Sequence, residues 1–285
     1  MSEPLVTRFA PSPTGLLHLG HAHSALMGWR RARQNGGRFL LRIEDIDRTR
    51  CREEFVAAIC EDLAWLGLDW DGPVRRQSEH IADYRAALDR LAAQGLVYPC
   101  FCTRAAIKAE IAGADAAPHG PEGPLYPGTC RGLDATERMR RTTAGQPFAL
   151  RLDVAKALSL TGPLAWEDEL AGPVAADPLA FGDVVLARKD APTSYHLAVT
   201  VDDAVQGITL VIRGIDLFPS THVHRLLQAL LALPTPRYRH HALLTDAEGR
   251  RYAKRDRALT LRALREAGRT PAAVRALAGL PDQPA

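Results

Sequence analysis

Short apolar runs alternate with stretches of helical periodicity over the first hundred residues. Residues 5–9 and 38–43 are mostly apolar and short, which predicts two buried strands. Residues 17–35, 53–66 and 79–94 carry apolar side chains at helical spacing and predict three helices. Because strands and helices alternate, we expect an α/β fold with helices on both faces of a parallel sheet.

The pattern changes at Val97. From there to residue 180 the chain is rich in glycine and proline, so we expect an insertion that interrupts the α/β domain. Apolar runs at 184–188, 195–201 and 208–213 predict further strands, and 220–231 predicts a helix. The predicted fold class is α/β, with a doubly wound, Rossmann-type, mostly parallel sheet, an insertion and a short helical C-terminal region. The predicted segments are 1–96, 97–180, 181–240 and 241–285.

Composition is that of an ordinary globular protein. The 285 residues are 46% hydrophobic and 24% charged, with a formal net charge of +3. The chain has no run of about 18 apolar residues and its start lacks a signal-peptide layout. We therefore expect a cytoplasmic protein that is not bound to a membrane; the sequence leaves the oligomeric state open, and we favour a monomer. The C-terminal third is basic, which suits either a nucleic-acid backbone or a solvated surface; its basic residues include Arg237, Arg239, His240, His241, Arg250, Arg257, Arg262, Arg265, Arg269 and Arg275.

The segment from Arg8 to His21 is the most informative motif. It reads Arg-Phe-Ala-Pro-Ser-Pro-Thr-Gly-Leu-Leu-His-Leu-Gly-His and leads into a predicted helix. A helix N-terminus offers unpaired N–H donors and a positive dipole end, which suit a triphosphate. The segment resembles the HIGH motif of class I aminoacyl-tRNA synthetases, in their glutamyl/glutaminyl branch. The resemblance implies that His18, Gly20 and His21 bind ATP, and that His18 and His21 are catalytic.

Charged and polar residues at or near predicted strand ends suggest an amino-acid pocket. Glu44 can hold an ammonium group, whereas Arg8 and Arg213 can bind carboxylates. The resemblance places these three in a glutamate pocket; which arginine takes which carboxylate is open. The full predicted set is Arg8, Phe9, Ala10, Pro11, Ser12, Glu44, Tyr195 and Arg213. For Asp45, Asp47 and Arg48 we favour surface ion pairs.

A second family motif, the KMSKS loop, corresponds to Arg251-Tyr252-Ala253-Lys254-Arg255. Lys254 keeps the second lysine, whereas Arg251 and Ala253 replace the first lysine and a serine. The resemblance implies that Lys254 is catalytic and binds the ATP phosphates, with Mg²⁺ accompanying ATP. Residues 258–267 and 271–280 predict two short helices, too little for an anticodon-reading domain.

Three cysteines in the predicted insertion form a candidate zinc site. Cys100 and Cys102 are one residue apart, and Cys130 follows. Three thiolates and a fourth ligand form a closed structural zinc site. The pattern resembles that of glutamyl-Q tRNA(Asp) synthetases, which implies Tyr126 as the fourth ligand; His119 is the alternative, and three unmetallated thiols remain open.

The same resemblance extends over nearly the whole chain. It implies ATP-dependent activation of glutamate and transfer to the queuosine base in the anticodon of tRNA(Asp). The expected partners are therefore glutamate, ATP and queuosine-containing tRNA(Asp). Two alternatives stay open: a short glutamyl-tRNA synthetase that charges a tRNA 3′ end, and a non-catalytic paralogue that binds these ligands.

Overall fold

Parallel strands form the centre of the fold. A computed structural model describes residues 4–112, 119–121, 123–245 and 260–280. The strands are β1 (Val6–Phe9), β2 (Arg38–Ile43), β3 (Arg75–Arg76), β4 (Val97–Cys100), β5 (His119–Gly120), β6 (Gly123–Pro124), β7 (Ala149–Leu152), β8 (Ala165–Asp168), β9 (Gly172–Ala175), β10 (Val185–Ala187), β11 (Leu210–Gly214) and β12 (Arg237–His241). The helices are α1 (Leu19–Gln34), α2 (Glu53–Trp65), α3 (Ile81–Ala93), α4 (Arg104–Ala112), α5 (Ala135–Thr143), α6 (Val154–Thr161), α7 (Tyr195–Val205), α8 (Ser220–Leu230), α9 (Leu261–Glu266) and α10 (Pro271–Leu277). Short 3-10 helices span Gln77–Glu79, Pro178–Phe181 and Ile215–Leu217.

The parallel sheet has a reversal of strand order at its middle. β1 pairs in parallel with β2, and β2 with β3, whereas β11 pairs in parallel with β12, and β12 with β8. The Thr209 amide donates to the Val6 carbonyl at 3.0 Å, so β1 and β11 lie side by side. The expected α/β fold with a parallel sheet is therefore confirmed. Ligands of open α/β sheets bind beyond the carboxyl ends of the strands at such a reversal.

A separate antiparallel sheet forms from the middle of the chain. Its strand order is β10-β7-β4, and Cys100 ends β4 beside the other predicted metal ligands. β8 and β9 form an antiparallel hairpin that joins the edge of the main sheet. The division of the chain into four segments stays a prediction.

The strand predicted over residues 195–201 is wrong, because these residues begin helix α7. The Ser194 side chain caps the helix by accepting from the Leu197 amide. The helix is buried from His196 to Asp203, where it packs against α3, α8 and strand β10. Burial on all sides gives a nearly continuous apolar run, and such a run looks like a buried strand in a sequence.

The C-terminal helices α9 and α10, predicted from the sequence, pack against the start of α1. The Leu261 amide donates to the Leu17 carbonyl at 2.9 Å, and His18 forms a β-bridge with Thr260. Val274 and Ala278 of the same region are buried in the core around α1 and α2. Residues 260–280 are thereby fixed next to the HIGH-like turn.

Part of the basic C-terminal character is internal. His240 and His241 are buried in β12, and the neighbouring Arg237 and Arg239 form ion pairs with Glu169 at 3.5 and 3.3 Å. The two histidines are therefore not part of an open basic surface, whereas the Arg237 side chain remains about half exposed. Within the described residues, no helix is both long enough and apolar enough to cross a membrane.

Candidate active site

A cavity of about 480 Å³ opens at the carboxyl ends of β1 and β11. Its position is the one that the reversal of strand order predicts. It is lined by all eleven residues that the sequence assigned to glutamate and ATP within the described part of the chain: Arg8, Phe9, Ala10, Pro11, Ser12, His18, Gly20, His21, Glu44, Tyr195 and Arg213. Lys254, with the rest of segment 251–255, lies outside the described residues. The roles of these residues stay predictions.

The HIGH-like turn is a capped helix N-terminus. The Gly20 amide donates to Nδ1 of His18 at 3.1 Å, and the His18 amide donates to Nδ1 of His21 at 3.2 Å. Because each Nδ1 accepts an N–H, each neutral imidazole carries its proton on Nε2. A Cβ on Gly20 would lie 3.1 Å from the His18 ring, so a larger residue would push the ring by a few tenths of an ångström from its capping position. The turn thus combines two imidazole donors with a positive helix end.

Arg213 is a buried cation with neutral neighbours. Its Nε donates to Nε2 of His240 at 3.0 Å, and its Nη2 donates to Oγ of Thr221 at 2.7 Å and to the Leu217 carbonyl at 3.1 Å. Nη1 contacts the Tyr195 hydroxyl at 3.2 Å and Nδ1 of His224 at 3.5 Å, which is long for a hydrogen bond. Among the described residues, no carboxylate lies within ion-pair distance of this guanidinium. Its positive charge is therefore available to a ligand.

The opposite wall contains an alternating chain of charges. Arg8 donates to Asp203 at 3.0 Å, Arg42 donates to Asp203 at 2.7 Å, and Arg42 donates to Glu44 at 3.2 Å. Arg42 is fully buried and lies behind the two residues that line the cavity, Arg8 and Glu44. The two cations and two anions of this wall balance, so Arg213 is a cavity-lining cation without a paired carboxylate among the described residues, although the Asp216 side chain also lines the cavity.

Burial and these ion pairs shift the carboxyl groups in opposite directions. Burial raises the pKa of Glu44, and Arg42 and Arg8 oppose that rise only in part. Burial also acts on Asp203, but Arg8 and Arg42 outweigh it and lower its pKa to about 2. An ammonium group beside Glu44 would favour the ionised carboxylate, because an opposite charge stabilises the charged form.

The predicted metal ligands form a compact cluster. The Sγ atoms of Cys100, Cys102 and Cys130 lie within 4.8 Å of one another. The Tyr126 hydroxyl is 3.4 Å from Sγ of Cys100 and 3.7 Å from Sγ of Cys102, and Sγ of Cys102 is 3.5 Å from Sγ of Cys130. A tetrahedral zinc with three sulfurs and one oxygen requires separations of about 3.5–3.8 Å between ligand atoms. The three thiols and the phenol therefore fit zinc; the alternative ligand, the His119 side chain, lies outside the described residues.

The comparisons with known proteins agree with this geometry. The family model "tRNA synthetases class I (E and Q), catalytic domain" matches residues 4–280. A Glutamyl-Q tRNA(Asp) synthetase of Rhodobacter capsulatus is 49% identical over 284 residues, which cover 97% of this chain and 100% of that protein. One of Symbiobacterium thermophilum is 47% identical over 295 residues, covering 98% of this chain and 88% of that protein. The chain belongs to the class I tRNA synthetases for glutamate and glutamine.

A solved structure extends the likeness to the fold of the synthetase. A glutamate tRNA ligase from Elizabethkingia meningosepticum, in complex with its amino acid, matches with a TM-score of 0.76 at 30% identity. The match covers 89% of this chain and 52% of that one. The resemblance predicted from the sequence is confirmed, and the synthetase is a ligase with glutamate–tRNA ligase-type activity.

One prediction about neighbouring residues needs correction. Asp45 was expected in a surface ion pair, but it is buried. Its carboxylate accepts from the amide and hydroxyl of Ser78, each at 2.8 Å, and pairs with Arg76 at 3.2 Å. It therefore fixes the loop after β2. Asp47 instead forms the expected local contacts, accepting from Thr49 and Arg50.

Sequence reasoning missed the buried layer behind the pocket of the synthetase. Arg42 and Asp203 hold the charged pocket residues but do not line the cavity. Signals for both were present, because Arg42 interrupts an apolar strand and Asp202-Asp203 interrupts an apolar run. Charged residues are almost never fully buried unless they are paired. The sequence gives no sign of which partner each one takes.

Proposed function

We propose that the synthetase activates glutamate with ATP to glutamyl-adenylate and transfers the glutamyl group to the queuosine base in the anticodon of tRNA(Asp). The uncompensated charge of Arg213 in the cavity wall carries the proposal for glutamate. The relative from Rhodobacter capsulatus, matched over its full length, supports queuosine as the acceptor.

Glutamate supplies three charges, and the cavity offers a complement to each. Its side-chain carboxylate would bind at the Nη1 edge of Arg213 and replace the long contact to His224. The Tyr195 hydroxyl accepts from Arg213, so its own proton is directed to the same carboxylate. The ammonium group would bind Glu44, which leaves the α-carboxylate on the side of Arg8 and the HIGH-like turn.

ATP would bind along the turn that begins α1. In this proposal His18, His21 and the positive end of the helix dipole would stabilise the negative charge that develops on phosphate. An oxygen of the glutamate α-carboxylate attacks the α-phosphorus, the bond from that phosphorus to the bridging oxygen breaks, and pyrophosphate leaves. Mg²⁺ would accompany ATP, held by phosphate oxygens and water. Lys254 is proposed to add a further positive charge.

Transfer needs a hydroxyl of the acceptor at the activated carbonyl. A hydroxyl of the queuosine cyclopentene ring would attack that carbon, AMP would leave, and the hydroxyl proton would pass to a phosphate oxygen of AMP or to solvent. A second cavity of about 520 Å³ adjoins Tyr195 on its other side and is bordered by Arg188 and Tyr126. A structural zinc on the cysteine cluster would hold this border rigid.

Two assays test the two halves of the reaction separately. Glutamate-dependent exchange of labelled pyrophosphate into ATP measures activation without tRNA. Transfer is measured as the label incorporated into tRNA when the protein is incubated with labelled glutamate, ATP and either queuosine-containing or queuosine-free tRNA(Asp). We expect exchange that depends on glutamate and label in the queuosine-containing tRNA alone.

Matched variants tie the activity to the pocket. Arg213→Gln should abolish exchange at ordinary glutamate concentrations. Arg225→Gln should leave exchange intact, because Arg225 lies on the exposed side of α8 and donates to the Ala165 carbonyl. Absence of exchange in the unaltered protein would refute activation. Equal label in both tRNA(Asp) forms, or label at the 3′ end of tRNA(Glu), would refute the proposed acceptor.

A further inference from the structure

A row of buried polar side chains lies behind Arg213. Asp168 ends β8, His240 lies in the neighbouring β12, and Arg213 lies next to it in β11. Oδ2 of Asp168 is 2.7 Å from Nδ1 of His240, and Nε2 of His240 is 3.0 Å from Nε of Arg213. The three residues expose 1, 3 and 5% of their surface. Neither Asp168 nor His240 borders the cavity.

Hydrogen bonding fixes the tautomer of His240. Nε of Arg213 can only donate, so Nε2 of His240 must be the acceptor and Nδ1 must carry the proton. That proton is donated to Asp168. The second oxygen of Asp168 accepts from the amides of Leu170 and Ala171 at 2.8 and 3.0 Å, which anchors the carboxylate in the turn after β8.

Both groups are thereby held in one charge state. Burial opposes ionisation of Asp168, but the hydrogen bonds from His240, Leu170 and Ala171 prevail and lower its pKa. Burial, followed by the charge of Arg213, lowers the pKa of His240 to about 4. An ionised carboxylate and a neutral imidazole therefore face Arg213 in series near neutral pH.

The imidazole also decides which edge of the guanidinium faces the cavity. His240 occupies Nε, while Thr221 and Leu217 occupy Nη2. Nη1 remains for the cavity, with Tyr195 beside it. A neutral partner at Nε orients the guanidinium without cancelling its charge, whereas a carboxylate at that place would cancel it.

We propose that Asp168 and His240 are positioning residues that act through Arg213, holding its Nη1 edge toward the cavity with its charge uncompensated, so that the pocket selects a carboxylate over a carboxamide. The inference rests on the proposed function, because it takes glutamate as the amino-acid ligand. Its consequence is a preference for glutamate over glutamine that depends on two residues outside the cavity.

Substitutions can reverse the tautomer without emptying the core. In Asp168→Asn with the carboxamide oxygen toward the turn amides, the NH₂ group replaces the oxygen that accepts from both Nδ1 and the backbone amide of His240. The NH₂ group then donates to Nδ1 and moves the imidazole proton to Nε2, where it meets the N–H of Arg213. The hydrogen bond lost at the His240 amide adds a cost in stability, which the Tm measures. His240→Phe keeps a ring against Trp166 and Phe218 and removes both nitrogens. His240→Gln restores an acceptor near the position of Nε2.

A histidine in the same aromatic cluster supplies the matched control. His222 packs on Trp166 and Phe218 and its Nδ1 accepts from the Asp177 amide, and it has no hydrogen bond to Arg213. His222→Phe therefore reproduces the loss of a ring nitrogen from this cluster. It leaves the row from Asp168 to Arg213 intact.

Four measurements test the proposal: calorimetric binding of glutamate, calorimetric binding of glutamine, and the separate KM values for glutamate and for ATP in pyrophosphate exchange. We expect Asp168→Asn and His240→Phe to weaken glutamate binding about 10- to 100-fold, as befits loss of a hydrogen bond to a charged group. Glutamine binding and the KM for ATP should change less than about twofold, so the selectivity falls. His240→Gln should recover part of the affinity, and His222→Phe should match the unaltered protein.

Other outcomes separate this inference from the function beneath it. Unaltered selectivity in Asp168→Asn and His240→Phe, in a protein that activates glutamate, would overturn the positioning role alone. Equal weakening for glutamate and ATP together with a lowered Tm would also overturn it, because general damage would then explain the loss. If the unaltered protein neither binds nor activates glutamate, the proposed function falls and this inference falls with it.

Discussion

Replacement of Arg42 by methionine tests the charge layer under the pocket. Arg42 is fully buried in β2 and holds three carboxylates together. Nη1 donates to Asp203 at 2.7 Å, Nη2 donates to Glu44 at 3.2 Å, and Nε lies 3.7 Å from Asp202. Methionine keeps much of the side-chain volume and removes the charge, so the variant isolates electrostatics from packing.

The remaining contacts set the size of the loss. Removing one partner of a buried ion pair costs about 3–5 kcal/mol. Asp203 keeps Arg8, and Asp202 keeps Arg75 at 2.8 Å. Glu44 loses its ion pair and can escape the penalty by taking up a proton. We therefore expect a loss near the lower limit, about 3 kcal/mol, or a fall in Tm of roughly 6–12 °C at about 2–4 °C per kcal/mol.

The loss of stability in Arg42→Met should depend on pH in a defined direction. Without Arg42 the already raised pKa of Glu44 rises further above its value in the unfolded chain. The folded state then binds a proton that the unfolded state lacks, so stability falls as pH rises through the folded pKa. The penalty of Arg42→Met should therefore be larger at pH 8 than at pH 6.

The free energy of unfolding is measured with urea at both pH values for the unaltered protein, Arg42→Met and Arg33→Met. Arg33 also contacts two carboxylates, Asp69 and Asp71, but at the surface, where ion pairs contribute about 0–1 kcal/mol. Two results would refute the electrostatic account. The first is a loss of stability in Arg42→Met below about 1 kcal/mol, equal to the loss in the Arg33→Met control. The second is a loss of stability in Arg42→Met that becomes smaller at higher pH.

Three further predictions concern other parts of the molecule. Cys130→Ser should lose a structural zinc ion and have a lower Tm, whereas Cys60→Ser should retain the zinc. Zinc content is measured by atomic absorption, and the absence of zinc from both variants would contradict the proposed site. Gly20→Ala should raise the KM for ATP about tenfold, which corresponds to about 1.4 kcal/mol of lost binding free energy, and should change the KM for glutamate little. Equal increases in the two KM values, measured by pyrophosphate exchange, would count against the turn as the phosphate site. The pKa values of His224 and His240 are lowered in the folded protein, so these side chains take up protons on unfolding. The urea concentration at the unfolding midpoint should therefore decrease as the pH is lowered from about 6.5 toward 4. A midpoint that stays constant over this pH range would contradict the prediction.

Much of the fold and of the pocket lining could be predicted from the sequence. Short apolar runs located β1, β2 and β11 because burial and strand length are local properties. Eight of the fourteen residues from Arg8 to His21 border the cavity, because the segment leads from one strand into one helix. The error over residues 195–201 arose because a helix buried on all sides loses its periodic polar face.

The buried layer resisted prediction for a different reason. Arg213 and His240 both follow Asp168 by at least 45 residues in the sequence. Their pairing depends on the order of β8, β12 and β11 in the sheet. Hydrogen-bond partners across strands follow from register, which no single sequence pattern specifies. A charged residue inside an apolar run signals that it has a partner but does not identify the partner.

The shared partners of the pocket charges also bear on how the pocket can evolve. Glu44 depends on Arg42, which also pairs with Asp203, and Asp203 in turn pairs with Arg8. A single change at any of these four removes an ion-pair partner from another buried charge, so it lowers stability before any new substrate is gained. Ser12 also borders the cavity but is exposed and forms no ion pair. Laboratory selection for a different amino acid should therefore accept first changes at Ser12, and reach the charged wall only through several substitutions made together.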